Sequence, residues 1–274
     1  MKKTWAAYPY LFWIIIFTII PLGLLIFFSI TVQTASGIVF SLDNFRRFLE
    51  PVYLKVLMRS LSLAALSTVL CLLLGYPAAQ FLAAHDLKHR NTMVLLMVLP
   101  MWINFLLRTY AWLPLLERKG LINYILGRLG LPSLNLLYND FAVMLGMVYN
   151  FLPFMVLPIY SVLSKIDRSL IEAAEDLGAD PALVFRKVVF PLSLPGVFSG
   201  ITMVFMPAVT TFVISRLLGG GQFTLIGNLI EQQFLTVGDW NFGSAISMVM
   251  MAVILISMGF ASKYETEQEG GGLW

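Results

Sequence analysis

A small group of polar and aromatic side chains lies within, or at the ends of, long apolar stretches of this sequence. Polar groups in such stretches usually face the interior of a helix bundle, because lipid offers them no hydrogen bonds. The alternative is structural, since aromatic rings at the membrane interface and hydrogen bonds between helices use the same residue types. The candidates are Trp102, Asn104, Tyr110, Tyr149 and Asn150.

Motifs typical of enzymes and metal sites are missing from the sequence. His85 and His89 are spaced as two ligands on one helix face would be, but no third ligand cluster lies near them. The sequence HDLKHRN is therefore interpreted as a basic turn, and no metal site is predicted. Neither H-E-x-x-H, nor G-x-S-x-G, nor the nucleotide-binding pattern G-x-x-x-x-G-K-[ST] occurs. The sequence predicts a protein that is not an enzyme.

The apolar stretches themselves define the class of fold. Of the 274 residues, 59% are hydrophobic and 12% charged, with a mean hydropathy of +0.84. Soluble domains carry about 25% charged residues. A spanning helix needs about 20 mostly apolar residues. We therefore predict an all-α integral membrane protein with a single transmembrane domain over residues 1–274. Its six predicted spans are about 10–30, 60–82, 93–110, 141–163, 195–214 and 242–260.

The charge pattern excludes one class of partner and leaves the topology open. With 18 basic and 15 acidic residues spread over many loops, the net charge of +3 forms no basic stripe for nucleic acid. A small basic excess is ordinary in membrane proteins, so membrane lipid is the expected partner of these charges. Lysine and arginine are almost equally shared between the two sets of loops, so the positive-inside rule assigns no orientation.

The loop of residues 164–194 carries the clearest local signals. Ser169 and Glu172 match a capping box and predict a helix start, and Gly178 predicts its left-handed end. Asp180 followed by a proline predicts the start of a second short helix, which Pro191 and Pro195 are expected to stop. Two short capped helices between spans would form a rigid protrusion suited to docking. A purely solvated loop would not need these caps.

The same loop resembles a known family. Glu172-Ala173-Ala174, then Gly178, then Val188-x-Phe190-Pro191 closely match the EAA loop of binding-protein-dependent ABC transporter permeases. The resemblance implies a type I ABC importer permease-like fold in the bacterial cytoplasmic (inner) membrane, with both termini cytoplasmic. It also implies that the loop enters a cleft of an ATPase subunit. The coupling residues it implies are Glu172, Ala173, Ala174, Gly178 and Asp180.

Similarity to one subfamily extends over residues 40–250. The segments Met101–Leu113, Tyr149–Ser161 and Leu225–Ala245 resemble the B-type permeases of spermidine/putrescine importers. That resemblance implies a second, C-type permease, an ATPase dimer and an extracytoplasmic polyamine-binding protein as partners. ATP and Mg would be bound by the ATPase, and this chain would need no cofactor of its own.

A polyamine cargo would suit the candidate side chains, since aromatic faces and carbonyl or carboxylate oxygens attract a flexible polycation. The expected path is therefore Trp102, Asn104, Tyr110, Tyr149 and Asn150, with Asp239 in the last outer loop. Asp239 and Glu231 could equally be solvated loop charges.

Two arginines leave alternatives open. Arg108 and Arg216 would repel a polycation and favour an importer of an anion, an amino acid or another small organic solute. A secondary transporter is a further alternative. It would need acidic residues deep in the spans, and the sequence has none there.

Overall fold

The computed structural model describes residues 8–34, 37–85, 87–221 and 224–269. The described chain is mostly helical, as predicted. Five of its helices are long and apolar enough to cross a membrane, and a strongly bent helix pair makes a sixth if it counts as one span. The five are Pro9–Ser29, Pro51–Ala84, Asp140–Leu163, Pro181–Thr210 and Trp240–Gly259.

The N-terminal part combines a helix with a small sheet that the sequence did not predict. Helices α1 (Tyr8–Ile14) and α2 (Ile20–Ser29) are joined by a π turn. Strands β1 (Thr31–Thr34) and β2 (Gly37–Phe40) follow and pair antiparallel, with Val32 opposite Val39. Helix α3 (Asp43–Phe48) then leads into α4 (Pro51–Ala84). The predicted second span, 60–82, is therefore only part of a longer helix.

The third predicted span, 93–110, is not one helix. Helix α5 (Leu87–Val98) continues into a 3-10 turn, Leu99–Trp102, and the chain then bends by 95°. Three short helices follow the bend: α6 (Phe105–Tyr110), α7 (Leu113–Leu116) and α8 (Leu121–Arg128). Pro100 lies in the 3-10 turn and offers no backbone donor, while Asn104 accepts a 2.9 Å hydrogen bond from the Leu106 amide and starts α6.

The remaining helices are α9 to α15, of which α9, α11, α12 and α15 belong to spans. Their bounds, in chain order, are Asp140–Leu163, Arg168–Asp176, Pro181–Val184, Phe190–Thr210, Val213–Leu218, Ile226–Gln232 and Trp240–Glu269.

The fifth span begins earlier than the predicted 195–214. Helix α11 passes through a π turn, Phe185–Val189, directly into α12, so that Pro181–Thr210 is one helix. The expectation that Pro191 and Pro195 stop a separate helix is wrong. The π turn ends just before Pro191, where regular α-helical bonding would clash with the proline ring. The loop predicted at 164–194 is correspondingly shorter.

The core lies where α4, α9 and α12 pack together. Ala64, Met155, Val156 and Val204 are fully buried there. Close approach of α9 and α12 depends on Gly196: a Cβ at that position would lie 2.8 Å from the Pro158 carbonyl oxygen. This bundle is the frame that holds the polar side chains described below.

The last span is tied to the first by hydrogen bonds as well as by apolar packing. Asn241, in the first turn of α15, donates from Nδ2 to the carbonyl oxygens of Phe28 (3.1 Å) and Thr31 (2.7 Å). Asn44 donates to the same Thr31 carbonyl at 2.9 Å. These bonds fix the C-terminal end of the first helix against α3 and α15.

Candidate coupling surface and cargo path

Helix α10, between the fourth and fifth spans, begins two residues earlier than predicted. Asp167 is its N-cap, and the Asp167 Oδ1 accepts a 3.0 Å hydrogen bond from the Ser169 amide. The capping box predicted for Ser169 and Glu172 is therefore wrong, because Ser169 is already inside the helix. Hydrogen bonds from the Ser169 backbone and side chain lower the pKa of the Asp167 carboxyl below its ordinary value of 3.8.

The end of α10 follows the predicted geometry. Gly178 has φ +83°, a left-handed conformation that glycine adopts without steric cost. Its amide donates to the Glu175 carbonyl at 2.8 Å, and the Ala179 amide donates to the Ala174 carbonyl at 3.1 Å. This pair of bonds is a Schellman motif. Asp180 then caps α11 by accepting a 2.7 Å hydrogen bond from the Leu183 amide.

The outward face of α10 is exposed and partly apolar. Leu177 is 89% exposed, and Leu170 is also exposed. Ala173 lies between them on the same face, and it is exposed as well. Glu172 is exposed, and its Oε1 lies 3.9 Å from Arg168 Nε. Exposed leucine and alanine side chains on one face of a short capped helix are typical of a surface that contacts another protein.

A polar cluster occupies the point where the bent helix pair meets α9. Asn150 is fully buried; its Nδ2 donates to the Gly146 carbonyl at 2.9 Å and to Thr109 Oγ1 at 3.4 Å. Its Oδ1 is buried and has no hydrogen-bond partner. Next to Thr109, the buried Arg108 donates from Nη1 to the Pro100 carbonyl at 3.1 Å. The cluster therefore contains the positive charge of Arg108 at the bend, and it leaves the side-chain oxygen of Asn150 without a hydrogen bond.

Aromatic rings adjoin this cluster. The Tyr149 ring lies 5.8 Å from the Arg108 guanidinium and packs edge-on against Trp112, with 5.3 Å between the ring centroids. Tyr149 is partly exposed, so one side of its ring is accessible. Of the predicted path residues, Tyr149 and Asn150 are thus brought to one place. Sequence reasoning missed Thr109 and Trp112, because their proximity to α9 depends on the bend.

The other predicted path residues lie differently. Asn104 uses its side-chain oxygen to start α6, and Trp102 and Tyr110 are exposed on the outside of this chain. Asp239 accepts hydrogen bonds from Arg47 Nη1 at 2.9 Å and from the Phe242 amide at 3.0 Å. Asp239 therefore caps the last span in this structure. Contact of these four residues with cargo stays a prediction.

Arg216, which on sequence grounds would repel a polycation, forms an ion pair within the chain. Its Nη1 lies 2.6 Å from Glu231 Oε1, and the two residues belong to α13 and α14. A second ion pair joins Arg59 Nη2 to Asp140 Oδ1, also at 2.6 Å. Partners so far apart in the sequence could not be matched from the sequence alone. Among the described residues, no group of three or more His, Cys, Asp or Glu could hold a metal ion.

The fold and sequence together define a permease of the ABC importer class. Residues 1–264 match the family of binding-protein-dependent transport system inner membrane components, and the chain belongs to that family. The chain is 41% identical over 247 residues to the spermidine/putrescine transport system permease protein PotB of Escherichia coli, covering 88% of this chain and 90% of that protein. It is 38% identical to PotB of Haemophilus influenzae, over 92% and 91% of the two chains.

Solved structures share the architecture at low sequence identity. A bacterial ABC transporter involved in the import of the acidic polysaccharide alginate superposes with a TM-score of 0.82. The match covers 97% of this chain and 96% of that chain at 17% identity. A bacterial alginate ABC transporter in complex with a pentasaccharide-bound periplasmic protein gives a TM-score of 0.80. The predicted ABC importer permease fold is confirmed.

Proposed function

We propose that this chain is one permease subunit of an ATP-driven importer that translocates spermidine or putrescine across the bacterial cytoplasmic membrane. The observation that carries the proposal is its 41% identity to the E. coli spermidine/putrescine permease over 88% of this chain. The similarity spans the helices that form the core and the polar cluster. In this proposal the chain lines part of the transport path and changes conformation during transport. The ATPase subunits hydrolyse the ATP.

The proposed assembly supplies what this chain lacks. It contains a second, C-type permease, an ATPase dimer that binds ATP and Mg, and an extracytoplasmic polyamine-binding protein. The absence of a nucleotide-binding motif from the sequence supports a separate ATPase. Both termini lie on the cytoplasmic side in this topology, which puts α10 on the same side as the ATPase.

In the proposed mechanism, α10 transmits force from the ATPase to the spans. Glu172, Ala173 and Ala174 lie on it, and Gly178 and Asp180 fix its junction with α11. The junction matters because Pro181–Thr210 is one helix. A displacement of α10 by the ATPase is therefore passed to the fifth span through a short, doubly capped connection, and from there to the α4–α9–α12 core.

The proposed cargo path passes the Tyr149–Asn150 region. A protonated amine is attracted to an aromatic face, and the partly exposed Tyr149 ring offers one here. The unpaired Oδ1 of the neighbouring Asn150 is buried, so it would accept a hydrogen bond from an amine only once the surrounding helices separate during transport. Trp102, Asn104, Tyr110 and Asp239 would line the path only together with the second permease.

The structure supports a cationic cargo at one of the two arginines. Arg216 forms an ion pair with Glu231, which offsets its charge. Arg108 donates to the neutral Pro100 carbonyl, so its positive charge still counts against a cation beside it. An importer for another organic solute or an anion, and a secondary transporter, are the competing functions that the following experiment separates.

The test is uptake of labelled spermidine and putrescine by cells that express this chain with its partner genes, with and without the ATPase subunit. ATPase-dependent uptake of either polyamine is the expected result. An assembled complex that hydrolyses ATP but takes up neither polyamine would retain the importer class and reject the cargo. Uptake that persists without the ATPase would favour a secondary transporter. A matched control is the same set of genes with a catalytically inactive ATPase.

A further inference from the structure

A polar cavity at the outer end of the chain is not used by the coupling surface or by the Tyr149–Asn150 region. Its volume is about 340 Å³, within the range of about 300–1,000 Å³ typical of small-ligand sites. The polar residues that line it are Arg216, Thr224, Asn228, Glu231, Gln232 and Thr236. Among the described lining residues, Glu231 is the one carboxylate and Arg216 the one cation.

The two charges in this cavity are unequally held. The Glu231 side chain is 20% exposed, whereas the Arg216 side chain is 65% exposed. An exposed arginine in an ion pair is held weakly, because water competes for it and its flexible side chain loses entropy when fixed. A largely buried carboxylate, in contrast, needs a cation near it to offset the loss of hydration. Arg216 can therefore leave, provided that another cation takes its place.

The scaffold around the pair does not need to move for this exchange. Ser215 Oγ lies 2.5 Å from Asn228 Oδ1, and Asn228 Nδ2 donates to the Phe212 carbonyl at 2.9 Å. These bonds fasten α13 to α14 independently of the ion pair. Rotation of one long side chain is enough to open the carboxylate to the cavity.

We propose that Glu231 is an outer subsite for a primary ammonium group, and that Arg216 is its displaceable counterion. An incoming ammonium ion replaces the guanidinium at Glu231, and Arg216 swings into solvent, so the carboxylate stays neutralised throughout. A linear diamine or triamine places one amine here and keeps the others free for the next contact. The subsite rests on the proposed polyamine cargo. It also gives Arg216 a role, since the arginine limits how tightly the cargo is held.

The test is equilibrium binding of radiolabelled spermidine to the assembled complex of both permeases and the ATPase, in nanodiscs and without binding protein. Glu231→Gln is expected to weaken binding by about tenfold, because a charge-assisted hydrogen bond is lost. Arg216→Gln is expected to tighten binding by about threefold, because the competing cation is gone. Asp140→Asn is the matched control, since it removes one carboxylate from the other outer 2.6 Å pair and should leave the dissociation constant unchanged.

The Arg216→Gln arm keeps the proposal testable even if Glu231→Gln does not fold, because misfolding cannot tighten binding. Unchanged or weaker binding by Arg216→Gln overturns the proposal, as does a Glu231→Gln protein that binds like Asp140→Asn. A wild-type complex that imports spermidine without binding it in this assay also overturns the subsite, while leaving the proposed function intact. Failure of import itself rejects the polyamine cargo instead.

Discussion

Arg108 donates a hydrogen bond from Nη1 to the Pro100 carbonyl oxygen at 3.1 Å, and this bond crosses the 95° bend that divides the third predicted span. Pro100 lies before the bend and Arg108 after it, so the guanidinium fastens the two arms of the broken helix to each other. The charge that seemed on sequence grounds to oppose a cationic cargo is thus part of the scaffold. It also positions Thr109, the next residue, against Asn150.

We expect Arg108→Ala to destabilise the assembled complex by about 1–3 kcal/mol, because a buried hydrogen bond across the bend is lost. Thermal unfolding of the purified complex measures the change. Arg128→Ala is a suitable control: this arginine is exposed and stacks on Tyr124, 5.0 Å from the ring centroid. Equal melting temperatures for the two variants would contradict the role of Arg108 in holding the bend.

Gly178→Asp is expected to uncouple ATP hydrolysis from uptake while the spans still assemble. A side chain at φ +83° costs about 1–2 kcal/mol and disturbs the end of α10 at its junction with α11. Uptake and ATP hydrolysis are measured on the same preparation, and their ratio gives the amount of cargo transported per ATP hydrolysed. Gly127→Asp is the matched control, since a Cβ there meets nothing within 4 Å and its backbone is not left-handed. Normal uptake by a normally expressed Gly178→Asp complex would refute the coupling role.

Gly196→Val should destabilise the core by about 1–3 kcal/mol, as overpacking does. Its Cβ would lie 2.8 Å from the Pro158 carbonyl oxygen and 2.9 Å from Ile159 Cα, so α9 and α12 would have to separate. Gly23→Val, at a position where a Cβ meets nothing within 4 Å, should be tolerated. Thermal stability in detergent distinguishes the two variants. A similar melting temperature for both would show that the helices adjust without cost.

The Asp167 cap predicts a pH dependence of α10. Because its pKa is lower in the folded state than the ordinary 3.8, the cap stabilises the helix above that value, and the stabilisation disappears as pH falls through the folded-state pKa. Hydrogen exchange of the first turn of α10, corrected for intrinsic rates, measures this. Asp167→Asn keeps a capping oxygen and should abolish the pH dependence; a profile like that of the wild type would argue against the cap as its source.

Local signals in the sequence were sufficient to predict the end of α10 and the start of α11. Gly178 and Asp180 act on residues within a few positions of themselves, so their roles could be assigned from spacing alone. The start of α10 was misplaced for the same kind of reason. Asp167 and Ser169 both favour an N-cap, and only the backbone conformation decides which of them takes it.

The broken third span and the ion pairs between distant residues could not be predicted from the sequence. The apolar run through 93–110 has the composition of a continuous span, and a proline within it is compatible with a kink as well as with a break. Arg47 and Asp239 are 192 positions apart, and no local pattern marks them as partners. The pairing of β1 with β2 was missed because each strand has only four residues and because every residue of β2 is exposed, so no alternation of buried and exposed positions marks it.

The sequence by itself determined the membrane class, most of the helices and the family, because hydropathy and the EAA pattern depend on residue types along the chain. Tertiary structure decided which polar groups find a partner within the chain and which do not. Asn150 keeps an unpaired oxygen, Arg216 is neutralised, and Arg108 is committed to the bend. Hydrogen bonds and ion pairs depend on distances of a few ångströms between residues that are far apart in the chain, and folding alone sets those distances.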